Sequence, residues 1–207
     1  MKRKYRLTDE TLEYDGVTLY RIEAIRGFGK VTAGDKGGFV QSELNLSQEG
    51  DCWIYDRAMV YGEAKVCDEA MVCAKAKVCD EARVYGEARV YGNAVVCDKA
   101  MVFGNAEVFG NAEVFDNAEV FGNAEVCGKA RVCGKASIKS IEDYIVFKNW
   151  WSSGRYFTWT RSDNMWKVGC FYGTGEELIQ KAYADSEKSG REYERVVRYV
   201  ENILAGK

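Results

Sequence analysis

The reactive side chains of this 207-residue sequence exclude several kinds of chemistry at once. The chain contains eight cysteines and no histidine. Without an imidazole it cannot form a Ser-His-Asp or Cys-His catalytic set, and it offers no histidine ligand to zinc or haem. The cysteines form no CxxC pair, so the sequence predicts free thiols in a reducing compartment, no metal site and no cofactor. We therefore expect a protein that is not an enzyme.

One group of aromatic and basic side chains near the C-terminus has the residue types of a ligand site. Alternation along a predicted strand places Arg155, Phe157, Trp159 and Arg161 on one side. Proteins hold nucleotides in this way, by stacking a base on an aromatic ring and pairing phosphate with arginine. The alternative is that the rings pack against the helices that follow and form a core. Together with two residues of the next strand, the candidate ligand-binding residues are Arg155, Phe157, Trp159, Arg161, Trp166 and Lys167.

A second candidate surface consists of aromatic and acidic residues that recur along the middle of the chain. An exposed apolar strip is typical of a partner surface, so we predict a homo-oligomer or the binding of a host protein. The alternatives are that stacked rings only stabilise neighbouring strands and that the carboxylates form a solvated face. The candidate interface residues are Tyr91, Phe103, Phe109, Phe115 and Phe121, with Glu107, Glu113, Glu119 and Glu125.

These side chains are positioned by a six-residue repeat that runs without interruption from Cys52 to Ile138. An alanine recurs from Ala58 to Ala136, and two residues after each alanine comes a valine or, in the last repeat, Ile138. Six residues advance an α-helix by about 600°, so the valines would form no stripe on a helix. In a strand, the alanine and the valine share one face and the residue between them lies on the other.

The rest of each repeat is turn chemistry, such as Gly104-Asn105, which tolerates positive φ. Three strands and three corners close a coil of about 18 residues. The sequence therefore predicts a mainly β protein, a left-handed parallel β-helix of about five coils with valine inside. Cys79 and Cys97 lie one coil apart, and the sequence leaves open whether they form a disulfide.

The two ends of the chain do not keep the repeat. Residues 1-50 contain a predicted β-hairpin about Asp15-Gly16 and a glycine-rich segment, and we expect them to cap the β-helix at residues 51-138. Residues 139-207 hold four of the five tryptophans, three predicted strands and two predicted helices, the first opened by the capping box that begins at Thr174. The sequence therefore predicts an N-terminal β cap, a β-helix and a C-terminal β-β-β-α-α module.

Charge and hydropathy narrow the partners further. The formal net charge is -3, which disfavours a nucleic-acid coat because such proteins usually carry a basic excess. No stretch approaches the roughly 18 apolar residues of a membrane span, and no apolar signal core follows the first residues. These patterns predict a cytoplasmic protein that binds no membrane.

Several segments resemble a family of hexapeptide-repeat proteins carried by bacteriophages and prophages. The resemblance rests on the Gly-Asn-Ala-Glu-Val repeats and on the segments 35–40, 45–54, 155–159 and 169–175. It implies a phage setting, a β-helix with a Trp-rich α+β module, and the cytoplasm of an infected bacterial host. Such proteins tend to be described as hexapeptide-type transferases or as polymer-forming proteins, and no functional residue carries over from them.

The resemblance implies a phage-encoded protein, and the lack of catalytic residues favours a binding role without catalysis. We expect a counter-defence inhibitor that sequesters or blocks a host component, which is either a nucleotide signal or a host protein. A self-assembling structural scaffold is the alternative. A hexapeptide-repeat acyltransferase is disfavoured, because such enzymes typically use a histidine as general base and the chain has none.

Overall fold

A three-sided β-solenoid forms the middle of the chain in the computed structural model, which describes residues 3–206. Its two-residue strands stack in three parallel sheets, here called faces 1, 2 and 3. Face 1 contains β3 (Lys36–Val40), β5 (Met59–Val60), β8 (Lys77–Val78), β11 (Val95–Val96), β14 (Glu113–Val114) and β17 (Arg131–Val132). Face 2 contains β6 (Lys65–Val66), β9 (Arg83–Val84), β12 (Met101–Val102), β15 (Glu119–Val120) and β18 (Ser137–Ile138). Face 3 contains β4 (Trp53–Ile54), β7 (Met71–Val72), β10 (Arg89–Val90), β13 (Glu107–Val108) and β16 (Glu125–Val126).

The register between turns of the solenoid is constant. Val90 pairs with Val72 on one side and with Val108 on the other. The repeat valines from Val60 to Val132 are at most 1% exposed, and the repeat alanines are fully buried. Burying each valine side chain contributes about 1.5–3 kcal/mol relative to leaving it in water. The valine column is therefore the core of the solenoid, as the sequence predicts.

Glycine and aspartate make the corners. Gly86 has φ of +69°, and a Cβ built on it would lie 2.9 Å from the backbone nitrogen of Gly104, one turn further on. Asp98 takes the same left-handed conformation at φ of 56°. Its carboxylate accepts a hydrogen bond of 3.1 Å from the Asp116 backbone N–H. Corner aspartates thus bind the next turn of the backbone, which compensates for their strained φ.

The parallel stacking begins before the regular repeat. Strands β1 (Tyr5–Tyr14) and β2 (Val17–Ala24) form the predicted hairpin about Asp15 and Gly16, and β3 continues that antiparallel sheet. On its other side β3 pairs in parallel with β5, so it belongs to face 1 of the solenoid. Residues ahead of the repeat thus supply most of a further turn. The solenoid has about six turns, where the sequence predicts about five.

Lys4 closes the N-terminal end of the solenoid. Its side chain is fully buried, and its ammonium donates to the carbonyl oxygens of Glu49, Gly50 and Cys52 at 3.0–3.1 Å. Burial lowers the pKa of Lys4, because a charge is less stable away from water. The open end of a β-helix exposes unpaired backbone carbonyls, and this ammonium satisfies three of them.

The C-terminal module contains four antiparallel strands and two helices. The strands are β19 (Tyr144–Lys148), β20 (Tyr156–Thr160), β21 (Met165–Val168) and β22 (Phe171–Gly173), and the helices are α1 (Gly175–Asp185) and α2 (Glu187–Leu204). The sequence does not predict the short fourth strand. It forms because the chain turns back at Gly169-Cys170, which separates β22 from β21. The Thr174 side chain caps α1 together with Glu177, as predicted. Neither described helix is long and apolar enough to cross a membrane.

The module packs on the last turns of the solenoid. The Arg131 backbone N–H donates to the Thr158 hydroxyl at 2.9 Å, and the Ser137 N–H donates to the Ser162 hydroxyl at 2.7 Å. The Tyr144 hydroxyl donates to the Glu125 carbonyl at 3.0 Å. The three contacts involve the last strand of each face, and the first of them holds β20 against β17.

Candidate functional site

Three of the six predicted ligand residues lie in the core of the C-terminal module. Phe157, Trp159 and Trp166 are at most 2% exposed and pack with residues of both helices. The indole N–H of Trp159 donates to Asn164 at 2.9 Å, so its polar atom is already satisfied. A base cannot stack on a ring that has no exposed face. The prediction that these rings bind a ligand is therefore corrected: the structure has the alternative arrangement, in which they form a core.

The three predicted basic residues lie in different surroundings. Arg161 is exposed, and its Nε donates to the Glu142 carbonyl at 3.1 Å. The ammonium of Lys167 lies 5.3 Å from the centroid of the Phe115 ring. Arg155 is exposed and lines a cavity where the module meets the solenoid. Only Arg155 of the six therefore lines a cavity that could receive a ligand.

The cavity at Arg155 has a volume of about 610 Å³. Its basic side chains are Lys129, Arg131 and Arg155, and its only acidic one is Glu113. Asn111, Tyr156 and Gly169 complete the lining.

Arg131, which the solenoid contributes to this cavity, is held in place by hydrogen bonds, whereas Lys129 and Arg155 are not held in this way. Arg131 donates to the Glu113 carboxylate at 2.7 Å and to the Gly169 carbonyl at 2.9 Å. Lys129 lies with its ammonium 5.0 Å from the centroid of the Tyr156 ring. Among the ion pairs of residues 3–206, none involves Lys129 or Arg155. Both remain available to an anion.

A second cavity lies at the other end of the same face, under the N-terminal hairpin. It has a volume of about 460 Å³, and its lining contains three cations and no carboxylate: Arg57, Lys75 and Lys77. Leu12, Tyr14, Met59, Asn93 and Val95 provide the rest of the lining. The Lys77 ammonium contacts the Tyr14 hydroxyl and lies over that ring, 4.6 Å from its centroid.

The two cavities belong to one surface of face 1, which we call the basic groove. It is formed by two rows of residues that recur once per coil, one at the corner before each strand and one on the strand. The corner row is Arg57, Lys75, Asn93, Asn111 and Lys129, and the strand row is Met59, Lys77, Val95, Glu113 and Arg131. The hairpin stands at one end of the groove and the C-terminal module, with Arg155, at the other.

The basic groove has a local excess of positive charge in a chain that is acidic as a whole. Its two rows contain five cations and one carboxylate, whereas the net charge of the chain is -3. The equivalent rows of face 3 have the opposite sign, with one cation, Arg89, against Asp51, Glu69, Glu87, Glu107 and Glu125. The groove is not apparent along the sequence, because its residues recur once per coil and are separated in the chain by residues of the other two faces.

The predicted aromatic interface is divided among the faces. Tyr91 and Phe109 stack beside face 3 with centroids 4.9 Å apart. Phe103 and Phe121 stack beside face 2 with centroids 5.1 Å apart. Phe115 lies beside face 1, where the Arg131 guanidinium is 5.3 Å from its centroid. All five rings are half-buried, so they form separate ladders and no single apolar patch.

The predicted acidic residues are also dispersed. Glu107 and Glu125 are neighbours on face 3, whereas Glu113 lies on face 1 and Glu119 on face 2. Glu113 is paired with Arg131, and Glu107 accepts a hydrogen bond of 2.8 Å from the Tyr91 hydroxyl. Burial raises the pKa of Tyr91 to about 12, and this bond to a carboxylate adds to the effect. A single acidic partner surface is therefore not formed within one chain.

One cluster of thiols and a carboxylate lies at the corner between faces 1 and 2. Ligand atoms of Cys79, Asp80 and Cys97 all lie within 4.8 Å of one another. A hydrogen bond from Cys97 lowers the pKa of the Cys79 thiol, and the same bond raises that of Cys97. All cysteines of the described chain are free. The absence of CxxC spacing conceals this cluster, because its thiols are separated in sequence by a full coil.

Comparison with known proteins agrees with the solenoid. The family described as the YdcK β-solenoid repeat matches residues 82–98, which span β9 to β11. A protein of Escherichia coli (strain K12) named "Uncharacterized acetyltransferase YdcK" is 46% identical over 63 residues. That stretch covers 27% of this chain, and the chain spans about a fifth of the length of that relative. Part of the solenoid is thus similar to YdcK-type β-solenoid repeats and to a segment of this E. coli protein.

Proposed function

We propose that this chain is a non-catalytic binding protein that holds a phosphorylated, nucleotide-type ligand in the basic groove. The observation that carries the proposal is the excess of cations in the two rows of face 1 and at Arg155, in a chain that is acidic as a whole. Phosphates are recognised by arginine and lysine, and by arginine in a bidentate geometry.

The cavity at the module end has the parts that such a ligand requires. Lys129 and Arg155 form no ion pair within the described chain and are free to neutralise a phosphate. Arg131, fixed by Glu113 and by the Gly169 carbonyl, keeps a third positive charge in place. Tyr156 is half-buried and lines the same cavity, and a base that stacks on its ring takes the place that the Lys129 ammonium has in the structure.

The name of the E. coli relative makes acetyl transfer a second candidate. The shared segment covers 27% of this chain. A fold of this kind supports many activities, so the repeat alone assigns none. The chain has no histidine to act as a general base. The lining of the basic groove also contains a single carboxylate, Glu113, and it is paired with Arg131. We therefore favour binding over transfer.

The resemblance to phage-carried proteins supports a finer version of this proposal. In an infected bacterial cell, a protein that binds a nucleotide signal withdraws it from the host system that depends on it. In that setting the chain acts as a counter-defence inhibitor by sequestration. Binding of a host protein along the aromatic ladders is the other form of the same role, and a self-assembling scaffold is the alternative to both.

Native mass spectrometry of the protein purified from bacterial cells tests the binding proposal. We expect an adduct of nucleotide size that disappears on denaturation and is absent from Lys129→Ala and Arg155→Ala variants. The matched controls are Lys65→Ala and Arg83→Ala, which remove the same charges from face 2. Absence of any adduct from the wild type, or an adduct that survives in the groove variants, would count against the proposal.

A further inference from the structure

Direct stacking of two thiols occurs at one place in the solenoid. The row that follows the strands of face 1 contains Tyr61, Cys79, Cys97, Phe115 and Cys133, each one coil from the next. Cys79 and Cys97 are therefore neighbours on adjacent turns. In the corresponding rows of the other faces, Cys67 is followed one turn later by Tyr85 and Cys73 by Tyr91. The pairing of two sulfurs is specific to this corner.

A carboxylate completes the cluster. Asp80 follows Cys79 in the chain, and its ligand oxygen and the two sulfurs lie within 4.8 Å of one another. The second thiol also lies 3.9 Å from the Asp98 carboxylate. One oxygen of Asp80 accepts a hydrogen bond of 3.3 Å from the Asp98 backbone N–H, which fixes the carboxylate.

We propose that Cys79, Cys97 and Asp80 form a binding site for a soft or borderline divalent cation of the zinc class. Two thiolates and one carboxylate are a donor set that such cations accept, with solvent in the fourth position. Thiolates bound to tetrahedral zinc at about 2.3 Å lie roughly 3.8 Å apart, so small side-chain rotations complete the site. This inference concerns the corner beside the basic groove and does not rest on the proposed ligand.

The two sulfurs are accessible to a cation. Cys79 is 7% exposed and Cys97 is half-buried, so the sulfurs are shielded yet reachable from solvent. Binding of the cation displaces the proton of each thiol to solvent, so that two thiolates and the carboxylate face the metal.

Titration of the reduced full-length chain with Cd²⁺ tests the site, because cadmium thiolates have a charge-transfer absorption in the ultraviolet. We expect this band to saturate at one Cd²⁺ per chain in the wild type. Cys79→Ser and Cys97→Ser should each abolish the saturating band. Asp80→Asn should keep the band but weaken binding about tenfold or more, because one charged ligand is lost.

The matched controls are Cys67→Ser and Cys73→Ser, which remove thiols from the equivalent rows of faces 2 and 3. We expect both to bind Cd²⁺ like the wild type, and the thermal unfolding of every variant shows whether it is folded. Three results would overturn the proposal: no band in the wild type, a band that persists in Cys79→Ser and Cys97→Ser, or an equal loss in folded Cys67→Ser or Cys73→Ser.

Discussion

Arg57 and Lys129 occupy the same row of the solenoid, four turns apart, at opposite ends of the basic groove. At about 4.8 Å per turn the two corners are roughly 19 Å from one another along the stack. Residues far apart in sequence thus belong to one surface because the register between turns never shifts. A ligand that spans part of this groove meets cations from several turns at once.

Replacing Tyr156 separates recognition of a base from recognition of phosphate. Stacking of a base on an aromatic ring contributes about 1–3 kcal/mol. We therefore expect Tyr156→Ala to weaken ATP binding about tenfold while inorganic tripolyphosphate binds as before. Equilibrium dialysis measures both affinities, and Tyr156→Phe is the control that keeps the ring. Equal weakening of both ligands would show that Tyr156 does not contact a base.

Substitution by alanine should destabilise the protein more at some corner glycines than at others. Gly86 and Gly128 both have φ of +69°. A Cβ built on Gly86 would lie 2.9 Å from the Gly104 backbone nitrogen, whereas a Cβ built on Gly128 would have no atom within 4 Å. The φ alone costs an L-residue about 1–2 kcal/mol. We expect Gly86→Ala to lower the free energy of unfolding in urea more than Gly128→Ala by over about 1 kcal/mol, since only the former also forces two turns apart. Equal losses would contradict the close stacking.

Removing the ammonium of Lys4 should destabilise the N-terminal end. Lys4→Met keeps the length of the side chain but leaves the carbonyls of Glu49, Gly50 and Cys52 without this donor. Unpaired buried polar groups cost about 1–3 kcal/mol each, and removal of a buried charge returns part of that cost. We expect a net loss of about 2 kcal/mol in urea unfolding. Unchanged stability would show that water replaces the ammonium there.

The free energy of unfolding should decrease in alkaline solution because the folded chain holds the phenol proton of Tyr144 more tightly than the unfolded chain does. Burial raises its pKa from 10.0 to about 12 in the folded chain. Between these values the unfolded chain loses the phenol proton while the folded chain keeps it, so the free energy of unfolding decreases as the pH rises. Urea unfolding at pH 8, 10 and 11 measures the decline, and Tyr144→Phe should make it shallower than in the wild type. An equally steep decline in both would contradict this effect.

Self-association is a separate proposal that rests on the half-buried aromatic ladders. We expect sedimentation velocity to show one small oligomer whose size is constant over a wide range of concentration. The double variant Tyr91→Ser, Phe109→Ser lacks one aromatic ladder of face 3. If that ladder is the interface, the oligomer should dissociate in this variant. Continuous growth with concentration would instead favour the self-assembling scaffold, and a monomer at all concentrations would contradict both.

The repeat is what makes most of the fold predictable. Ala106 and Val108 show the rule: alternation places both inside, and both are fully buried. The repeat does not reveal the first turn, because β3 has Gly38 where the later turns have an alanine, although its Val40 pairs with Val60. A Cβ on Gly37 would lie 2.6 Å from the Ile54 carbonyl, so this turn is specified by close approach, which periodicity does not show.

The candidate site is less predictable, for a physical reason. Alternation tells which residues share a side of β20, but not whether that side meets solvent or a helix. Phe157 and Trp159 share a side, and that side packs against α1 and α2. Arg155 is available to a ligand because it lies just before the strand, outside the packed region. Its partner Lys129 emerges from the sequence only when the repeats are arranged three to a coil.

Titration of the chain with ATP at low salt tests the account most directly. We expect saturable binding of one ATP per chain, and this binding should weaken as salt is added. It should be lost in a Lys129→Glu and Arg155→Glu double variant. It should be retained in a Lys65→Glu and Arg83→Glu double variant, which makes the same charge change on face 2. Absence of ATP binding in the wild type, or an equal loss in both double variants, would contradict the basic groove as a nucleotide-binding site.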